Sequence, residues 1–332
     1  MTKVFDFMDA DREDFLRIKH EEAKRFVDPA TGKIRQQMVE RVNCPVCEVD
    51  DNVWVFEKAG FDFVKCRHCG LLYVRDQLKA DVQDTIYEQS QTADHWIKVQ
   101  KKAKEQTWNA EKKYLPALEE LRRLKPEEGH LLDVGCSIGQ FLGLAREQGW
   151  EVEGVELNID AARFARSESE LIVHNRKLEE VGFPDGSFDV VTLWGVLEHL
   201  TNPNEMLQTI RKVLRKRGLA LFFVPNGHSL IIRLSREHNS TVSGRAHLWY
   251  FTPETMDKIL VKNGFEKVSE FSVLPQIHEI EHFLRYNVLY RESEMLGEEE
   301  FTIPAEIQGL LERYIDDNKL GYKLITIGRR VD

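Results

Sequence analysis

Four of the five cysteines in this 332-residue chain stand in two pairs, Cys44-Pro45-Val46-Cys47 and Cys66-Arg67-His68-Cys69, with eighteen residues between them. Two thiolate pairs at this spacing, each on its own turn, can close round one tetrahedral zinc ion. Gly70 permits the turn after the last ligand. No fifth ligand is needed, so a structural zinc site on Cys44, Cys47, Cys66 and Cys69 is expected, with His68 a bystander. A reduced or disulfide-linked cluster and an iron site are the competing readings, and disulfides add little to a cytosolic chain.

A second constellation is Leu131-Leu132-Asp133-Val134-Gly135-Cys136-Ser137-Ile138-Gly139. A buried strand ends in an acid, a glycine-containing turn follows, and a helix begins. Gly135 and Gly139 let the backbone approach a ligand, and the free N–H groups at the helix start favour an anion. The glycines read G-x-x-x-G, not the G-x-G-x-x-G of a pyrophosphate binder, and no Gly-Lys-Ser/Thr follows to cradle a triphosphate. The next strand ends in Glu156-Leu157, where a carboxylate can take both hydroxyls of a ribose.

These residues need elements to carry them. VWVFEKAGFDFVKC alternates apolar and polar residues about Lys58-Ala59-Gly60, which predicts a hairpin between the cysteine pairs. Residues 1–40 read as a charged helical extension, and Trp96–Lys125 as a long helix that Pro116 kinks or divides. From residue 130 strands and helices alternate as a parallel sheet requires: HLLDVG, WEVEGVEL, LIVHN, FDVVTLWG and LALFFVPN are strands, with helices over 140–148, 160–167 and 204–216. The basic run Arg211–Arg217 is taken as a helix C-terminus before Gly218. A helix at TPETMDKILVKNG, the strand FEKVSEFSVL, a helical stretch over 276–296 and a last strand KLITIGRR complete the chain.

Asp133–Gly139, Glu156, Phe183-Pro184-Asp185-Gly186-Ser187-Phe188-Asp189, Val196-Leu197-Glu198-His199, Leu214–Gly218 and Val224-Pro225-Asn226 together resemble the successive motifs of class I S-adenosylmethionine-dependent methyltransferases, over about residues 126–271. The resemblance implies a Rossmann-like, seven-stranded, doubly wound α/β sheet with S-adenosylmethionine across the strand C-termini. It implies that Asp133, Gly135, Cys136, Ser137 and Gly139 hold the methionine portion and that Glu156, beside Leu157, binds the ribose. Lys177 and Leu178 would border the adenine, and Trp194 and Gly195 would face the methyl donor. Cys136 stands where a small Gly or Ala is common. The cysteine ribbon ending in Cys66–Tyr73, with Tyr87 after it, also resembles bacterial methyltransferases of sugar-nucleotide and surface-polysaccharide pathways.

Methyl transfer to a hydroxyl requires removal of its proton, which calls for a base near neutral pKa. Glu198 and His199 after the fourth strand, and His247 in Gly244-Arg245-Ala246-His247-Leu248-Trp249, are the candidate catalytic residues, with His228 a weaker one. For each histidine a structural hydrogen bond is the competing reading. Glu198 also suits a divalent metal, but no complete ligand set is visible in the sequence. His278-Glu279-Ile280-Glu281-His282 matches the zinc-protease pattern H-E-x-x-H, yet it sits among late strands with a charged Glu281 inside it. It is read as an acceptor-pocket lining or a subunit contact.

The expected organisation is an extension (1–40), a zinc ribbon (41–80), a helical linker or lid (81–125) and the methyltransferase domain (126–332) with a helical insertion at about 275–316. The net charge of −10 argues against a nucleic-acid partner. Residues 41–80 carry six acids and six bases, so a ribbon gripping RNA gains no support. No run of about 18 apolar residues and no signal-peptide centre is present, so a cytoplasmic protein is expected. The resulting reading is methylation of a small-molecule acceptor, a sugar nucleotide or glycan hydroxyl first among them. An RNA or ribosomal methyltransferase and a non-catalytic zinc-ribbon scaffold are the alternatives; the sequence is silent on oligomeric state.

Overall fold

The structure, a computed structural model, describes residues 17–18, 21–83, 91–239, 241–286 and 302–332. Near the N-terminus, strand β1 (Val39–Arg41) precedes β2 (Asn52–Lys58), β3 (Phe61–Cys66), β4 (Leu72–Val74) and β5 (Asp76–Leu78). β2 and β3 form the expected hairpin, with Ala59 and Gly60 both at positive φ in the two-residue turn, and β4 lies antiparallel beside β3. β5 pairs back on β1. Of the first forty residues, 17–18 and 21–24 are helical as expected, but from residue 25 the chain leaves the helix. Val27 bridges Ile34, the Asp28 side chain accepts from the Ala30 N–H in a tight turn, and Gln36–Met38 is a single 3-10 turn. Asp28, Pro29 and Gly32 supply that turn chemistry. Residues 1–16 and Tyr87 lie outside the described residues.

The linker is helical but divided: α1 (Gln91–Gln100), α2 (Ala103–Asn109), a π-helical turn (Ala110–Tyr114) and α3 (Leu115–Leu124). Pro116 has no N–H to give to the preceding turn and its ring crowds the carbonyl four residues back, so the chain widens just before it.

Thereafter come β6 (His130–Val134), α4 (Gln140–Glu147), β7 (Glu151–Val155), α5 (Ile159–Ser169), β8 (Ile172–His174), α6 (Leu178–Val181), β9 (Phe188–Trp194), a 3-10 turn (Leu197–His199), α7 (Pro203–Val213) and β10 (Leu214–Pro225). The basic run is not one helix end. α7 stops at Val213, and Leu214–Arg217 already belong to an irregular start of β10, where the pairing shifts register before Leu219. The chain finishes with α8 (Leu230–Ser235), β11 (Trp249–Tyr250), α9 (Pro253–Lys262), β12 (Phe265–Val273), α10 (Ile277–Tyr286), α11 (Ala305–Asp317) and β13 (Lys323–Arg330). Residues 287–296 of the expected second helical stretch lie outside the described residues.

Seven strands form one sheet in the order β12-β13-β10-β9-β6-β7-β8, with only β13 antiparallel to its neighbours. The chain runs β6, β7, β8 to one side and then returns to place β9 against the other edge of β6. The crevice beyond the carboxyl ends of β6 and β9 is therefore the switch point where ligands bind in such sheets. At the opposite, amino end, Asp189 accepts from the His130 N–H (3.0 Å) and pairs with Arg215 (2.5 Å) and Lys125 (3.2 Å). Asp189, part of the motif run read from the sequence, is thus a fastener of the sheet remote from the crevice. Among the described residues no helix is long and apolar enough to cross a membrane.

The ribbon does not stand apart. β11, from the segment after β10, adds to its sheet in the order β11-β4-β3-β2, with Trp249 opposite Tyr73. Their rings lie 5.8 Å apart, and the Trp249 indole donates to the Leu200 carbonyl at 2.7 Å. Cys44, Cys66, Cys69, Leu71 and Tyr73 share one hydrophobic cluster with Leu132, Val191, Leu207, Phe222, Trp249 and Leu260. The other face of the sheet is closed by α3, α4 and α5 through Leu118, Leu121, Phe141, Leu142 and Ala165.

One core predicts one transition. Thermal or urea denaturation should show ribbon and sheet unfolding together. Trp249→Phe should keep the fold but lose about 1–3 kcal/mol, because it orphans the half-buried Leu200 carbonyl, and Trp249→Ala about 3–5 kcal/mol.

Candidate functional site

The turn after β6 is built by three residues in the left-handed region: Gly135 (φ 76°), Ser137 (φ 50°) and Gly139 (φ 80°). At Gly135 a Cβ would lie 2.5 Å from the Val196 side chain, so this turn and the one after β9 touch. Gly139 is the N-cap of α4 and offers no side-chain cap, which leaves the first N–H groups of the helix open toward the crevice. Cys136 is buried, and burial holds its thiol well above the ordinary range, so it is a packing residue and not a nucleophile.

Two carboxylates lie beneath and beside this turn. Asp133 is 1% exposed and accepts from the Thr192 hydroxyl at 2.7 Å. Burial pushes its pKa up to about 8, with the charge of Glu156 adding to the rise. Glu156 accepts from the Ser137 N–H (2.8 Å) and the Asn158 N–H (2.7 Å), and burial raises it as well. Each of its oxygens keeps lone pairs for further donors. Leu157 is exposed next to it, while Asn175, at the end of β8, donates to the carbonyls of Glu156 and Leu157. Lys177 caps α6, and Leu178 is buried in the core rather than displayed.

Trp194 ends β9 inside an aromatic layer formed with Tyr114 (4.7 Å, edge to face), Phe141 (4.9 Å) and Phe223 (5.3 Å). Its indole N–H is buried without a hydrogen-bond partner among the described residues. Sequence reading missed the linker's part. The Ser137 hydroxyl bonds Gln100 of α1 at 2.5 Å, the Gln140 side chain reaches the Gln106 carbonyl, and Ile97 packs on Ile138 and Ala161. The helices before the sheet therefore close over the turn; Gln100 gave no motif by which to find it.

Beyond β9, Gly195 (φ 72°) leads into the 3-10 turn that carries Glu198 and His199. Glu198 is fully buried; its Oε1 lies 3.4 Å from Lys323 Nζ, and its Oε2 has no hydrogen-bond partner among the described residues. His247 comes from the irregular stretch after α8, yet its ring meets that of His199 edge to face at 4.9 Å. Its Nδ1–H donates to the Thr241 carbonyl at 3.0 Å. The structure thus brings together the three residues read as catalytic candidates, with ligand atoms of Glu198, His199 and His247 all within 4.8 Å of one another.

What fixes His247 is largely the ribbon. The Leu248 N–H donates to the Glu198 carbonyl (2.8 Å), the Leu248 carbonyl accepts from the Val74 N–H (3.0 Å), and β11 begins at the next residue, paired with β4. Lys58 donates to the Asn239 carbonyl (2.5 Å) and Arg236 to the Val55 carbonyl (2.8 Å), so the β2–β3 hairpin grips the same segment. A buried ion pair, Arg245 to Glu22 at 2.8 Å, ties it to the helical residues 21–24.

The four cysteine sulfurs lie within 4.8 Å of one another, and Cys44 and Cys69 are 3.5 Å apart. A tetrahedral zinc with bonds of about 2.3 Å sets its sulfurs about 3.8 Å apart, so the cluster fits that ion. Burial pushes the Cys47 thiol up to about 12, and the contact with Cys44 raises Cys69. The first knuckle is docked on the sheet domain: the Pro45 carbonyl accepts from Asn204 (2.9 Å) and Lys262 (2.8 Å). His68 bonds Asp51 at 3.0 Å, outside the cluster.

The H-E-x-x-H run lies on α10, but Glu281 is buried and accepts the Ile303 N–H at 2.7 Å, fastening the approach to α11. His278 is mostly exposed and 3.7 Å from Glu281; the side chain of His282 lies outside the described residues. This is a fastening and not a protease centre. His228 is exposed, its pKa lowered by partial desolvation and then by Arg233, and it stands two residues after Asn226, whose side chain holds the carbonyls of Lys319 and Gly321.

Residues 107–270 match the family model described as a methyltransferase domain. A putative methyltransferase of Bacillus subtilis, YqeM, is 30% identical over 107 residues, which are 30% of this chain and 43% of that protein. A ubiquinone biosynthesis O-methyltransferase of Shewanella halifaxensis is 28% identical over 129 residues, 37% of this chain and 52% of that one. The chain thus spans about half the length of the curated relatives it matches. A chain from the complex between the Haloferax volcanii Trm112 methyltransferase activator and a putative methyltransferase superposes with a TM-score of 0.50 at 17% identity, covering 72% of this chain and 96% of that one. Burkholderia thailandensis 1,6-didemethyltoxoflavin-N1-methyltransferase, solved with 1,6-didemethyltoxoflavin and S-adenosylhomocysteine, gives a TM-score of 0.51 at 15% identity, over 85% of this chain and 100% of that one. At these identities the likeness shows the fold, which is the Rossmann-like methyltransferase sheet.

Buried Asp133 sets a pH test. Asp133 has a folded pKa near 8 against an ordinary value of 3.8, so the unliganded fold binds more protons than the unfolded chain between those limits. Its contribution is present at low pH and lost as pH rises through about 8. The melting temperature of the unliganded protein should fall between pH 5 and pH 8.5, and Asp133→Asn should flatten that fall; an identical slope in both proteins would refute the buried-acid account.

Proposed function

We propose that this chain, carrying a methyltransferase domain, transfers the methyl group of S-adenosylmethionine to a hydroxyl of a small molecule. The observation that carries the reading is the contact between the two turns: the glycine turn after β6 meets Val196, so the cofactor turn and the Glu198–His199–His247 group share one crevice. The fit to the cofactor rests on this chain's own atoms. Asp133, buried, and Glu156, half-buried, are acids suited to a ligand carrying an ammonium and a ribose, and the open N–H groups of α4 suit its carboxylate. When bound, the cofactor supplies a sulfonium methyl for in-line displacement.

The protein's contribution is then positioning. Gly135, Ser137 and Gly139 shape the turn, Glu156 takes the ribose hydroxyls, and Gln100 and Ile97 exclude water from above. Trp194 and Phe223 form an apolar wall, and Lys177 borders the adenine end. Glu198, His199 and His247 stand on the acceptor side, where a hydroxyl proton must be released as the C–O bond forms and the C–S bond breaks.

We assign Cys44, Cys47, Cys66 and Cys69 to a structural zinc. The ion would hold the knuckles whose sheet fixes the His247 segment, which gives the ribbon a positioning role. The acceptor class favoured is a saccharide-linked hydroxyl, on the strength of the ribbon-plus-core arrangement; the O-methyltransferase relatives support oxygen as the atom methylated.

Incubation with methyl-labelled S-adenosylmethionine and a panel of sugar nucleotides, glycans, ubiquinone-pathway precursors and RNA tests this. Transfer to a small hydroxyl compound is expected; transfer to RNA alone would overturn the reading. Gly135→Ala should weaken cofactor affinity by at least about tenfold in calorimetry, since φ of 76° and the Val196 contact both oppose a Cβ. Metal analysis should find one zinc per chain, and Cys69→Ser should lower both the zinc content and the melting temperature.

A further inference from the structure

We propose that Glu198, His199 and His247 hold one divalent transition-metal cation at the acceptor end of the crevice; its role, though not its binding, rests on the methyl-transfer reading above. The three residues come from two segments remote in sequence, and their ligand atoms lie within 4.8 Å of one another. Ligands at about 2.1 Å from an ion stand roughly 3.0–3.4 Å apart, so side-chain rotations of about an ångström close the site.

Glu198 points independently to a ligand. It is 0% exposed, and its Oε2 has no hydrogen-bond partner among the described residues, whereas its Oε1 faces Lys323 Nζ at 3.4 Å. A buried carboxylate oxygen is costly unless a donor or cation meets it. Lys323 serves one oxygen only; it also lies over the Phe223 and Tyr322 rings, at 5.1 and 5.2 Å.

His247 is oriented as metal-binding imidazoles are. A backbone carbonyl can only accept, so the 3.0 Å contact with Thr241 places the proton on Nδ1 and makes Nε2 the ligand atom. One carboxylate with two imidazoles selects the manganese-to-zinc series over magnesium or calcium, which prefer all-oxygen shells. Three protein ligands leave coordination positions open. An acceptor hydroxyl there would lose its proton to solvent more readily, and the oxygen would then attack the sulfonium methyl; the products are the methyl ether, the thioether and one proton. His199 and His247 in this arrangement are ligands, not free bases.

The test uses the zinc-loaded protein without cofactor or acceptor. MnCl2 is titrated in, and free Mn2+ is read by its electron paramagnetic resonance signal. One Mn2+ per chain is expected with micromolar affinity. Glu198→Gln and His247→Gln should each weaken binding at least tenfold, and Lys323→Met should strengthen it several-fold by removing the competing cation. Absence of Mn2+ binding at millimolar concentration would overturn the site. So would binding unchanged in Glu198→Gln and His247→Gln proteins that melt as the parent does. If either variant fails to fold, Lys323→Met decides: unchanged affinity there counts against the site. Methyl transfer is assayed separately. Mn2+ binding without any transfer leaves the site standing and sinks the methyl-transfer reading, whereas full-rate transfer with the site empty removes the cation's catalytic role.

Discussion

The pairing of β4 with β11, where Tyr73 lies opposite Trp249, is the contact on which most of this molecule depends. Through it a four-stranded ribbon sheet and a mainly parallel seven-stranded sheet share one apolar core, from Cys44 and Leu71 to Phe222 and Leu260. Trp249 is 1% exposed and anchored at both ends, by the Tyr73 ring and by the Leu200 carbonyl. Because β11 begins two residues after His247, the same pairing sets where that imidazole stands relative to His199. Order in the cysteine cluster therefore reaches the crevice through only a few residues. Small ribbons have little core of their own, and this one borrows the domain's.

Charge is distributed along the parallel sheet with a clear polarity. At the amino end Asp189 has a backbone donor and two cationic partners, so its charge is satisfied within the chain. At the carboxyl end Asp133 and Glu198 are buried and Glu156 half-buried, each with fewer partners than its oxygens can accept. Burying acids in this way is unfavourable for the empty fold and favourable once cationic or hydroxyl-bearing ligands arrive. The two ends thus differ in how far each acid is satisfied within the chain, although Asp133 and Asp189 lie in similar sequence surroundings.

The crevice is also walled and roofed by elements outside the parallel sheet. Tyr114 sits in the π-helical turn that Pro116 imposes, and it meets Trp194 edge to face. Gln100 and Ile97 reach the glycine turn from the first linker helix. A backbone irregularity and a linker thereby complete a site whose motifs belong to the sheet alone.

Much of this was legible in the chain itself. The alternation of buried strands with amphipathic helices, the G-x-x-x-G turn after Asp133 and the two C-x2-C knuckles follow from local spacing, and local spacing is what period and turn chemistry report. The same rules misjudged residues 25–40 and 214–217, where an Asp-Pro turn and strand pairing override helical composition. Nothing local indicates that β11 completes the ribbon sheet, that Gln100 bonds Ser137, or that Lys323 and His247 converge on Glu198. Those neighbours are set by sheet order and by the packing of Trp249, which join segments far apart in sequence, so only the folded chain decides them.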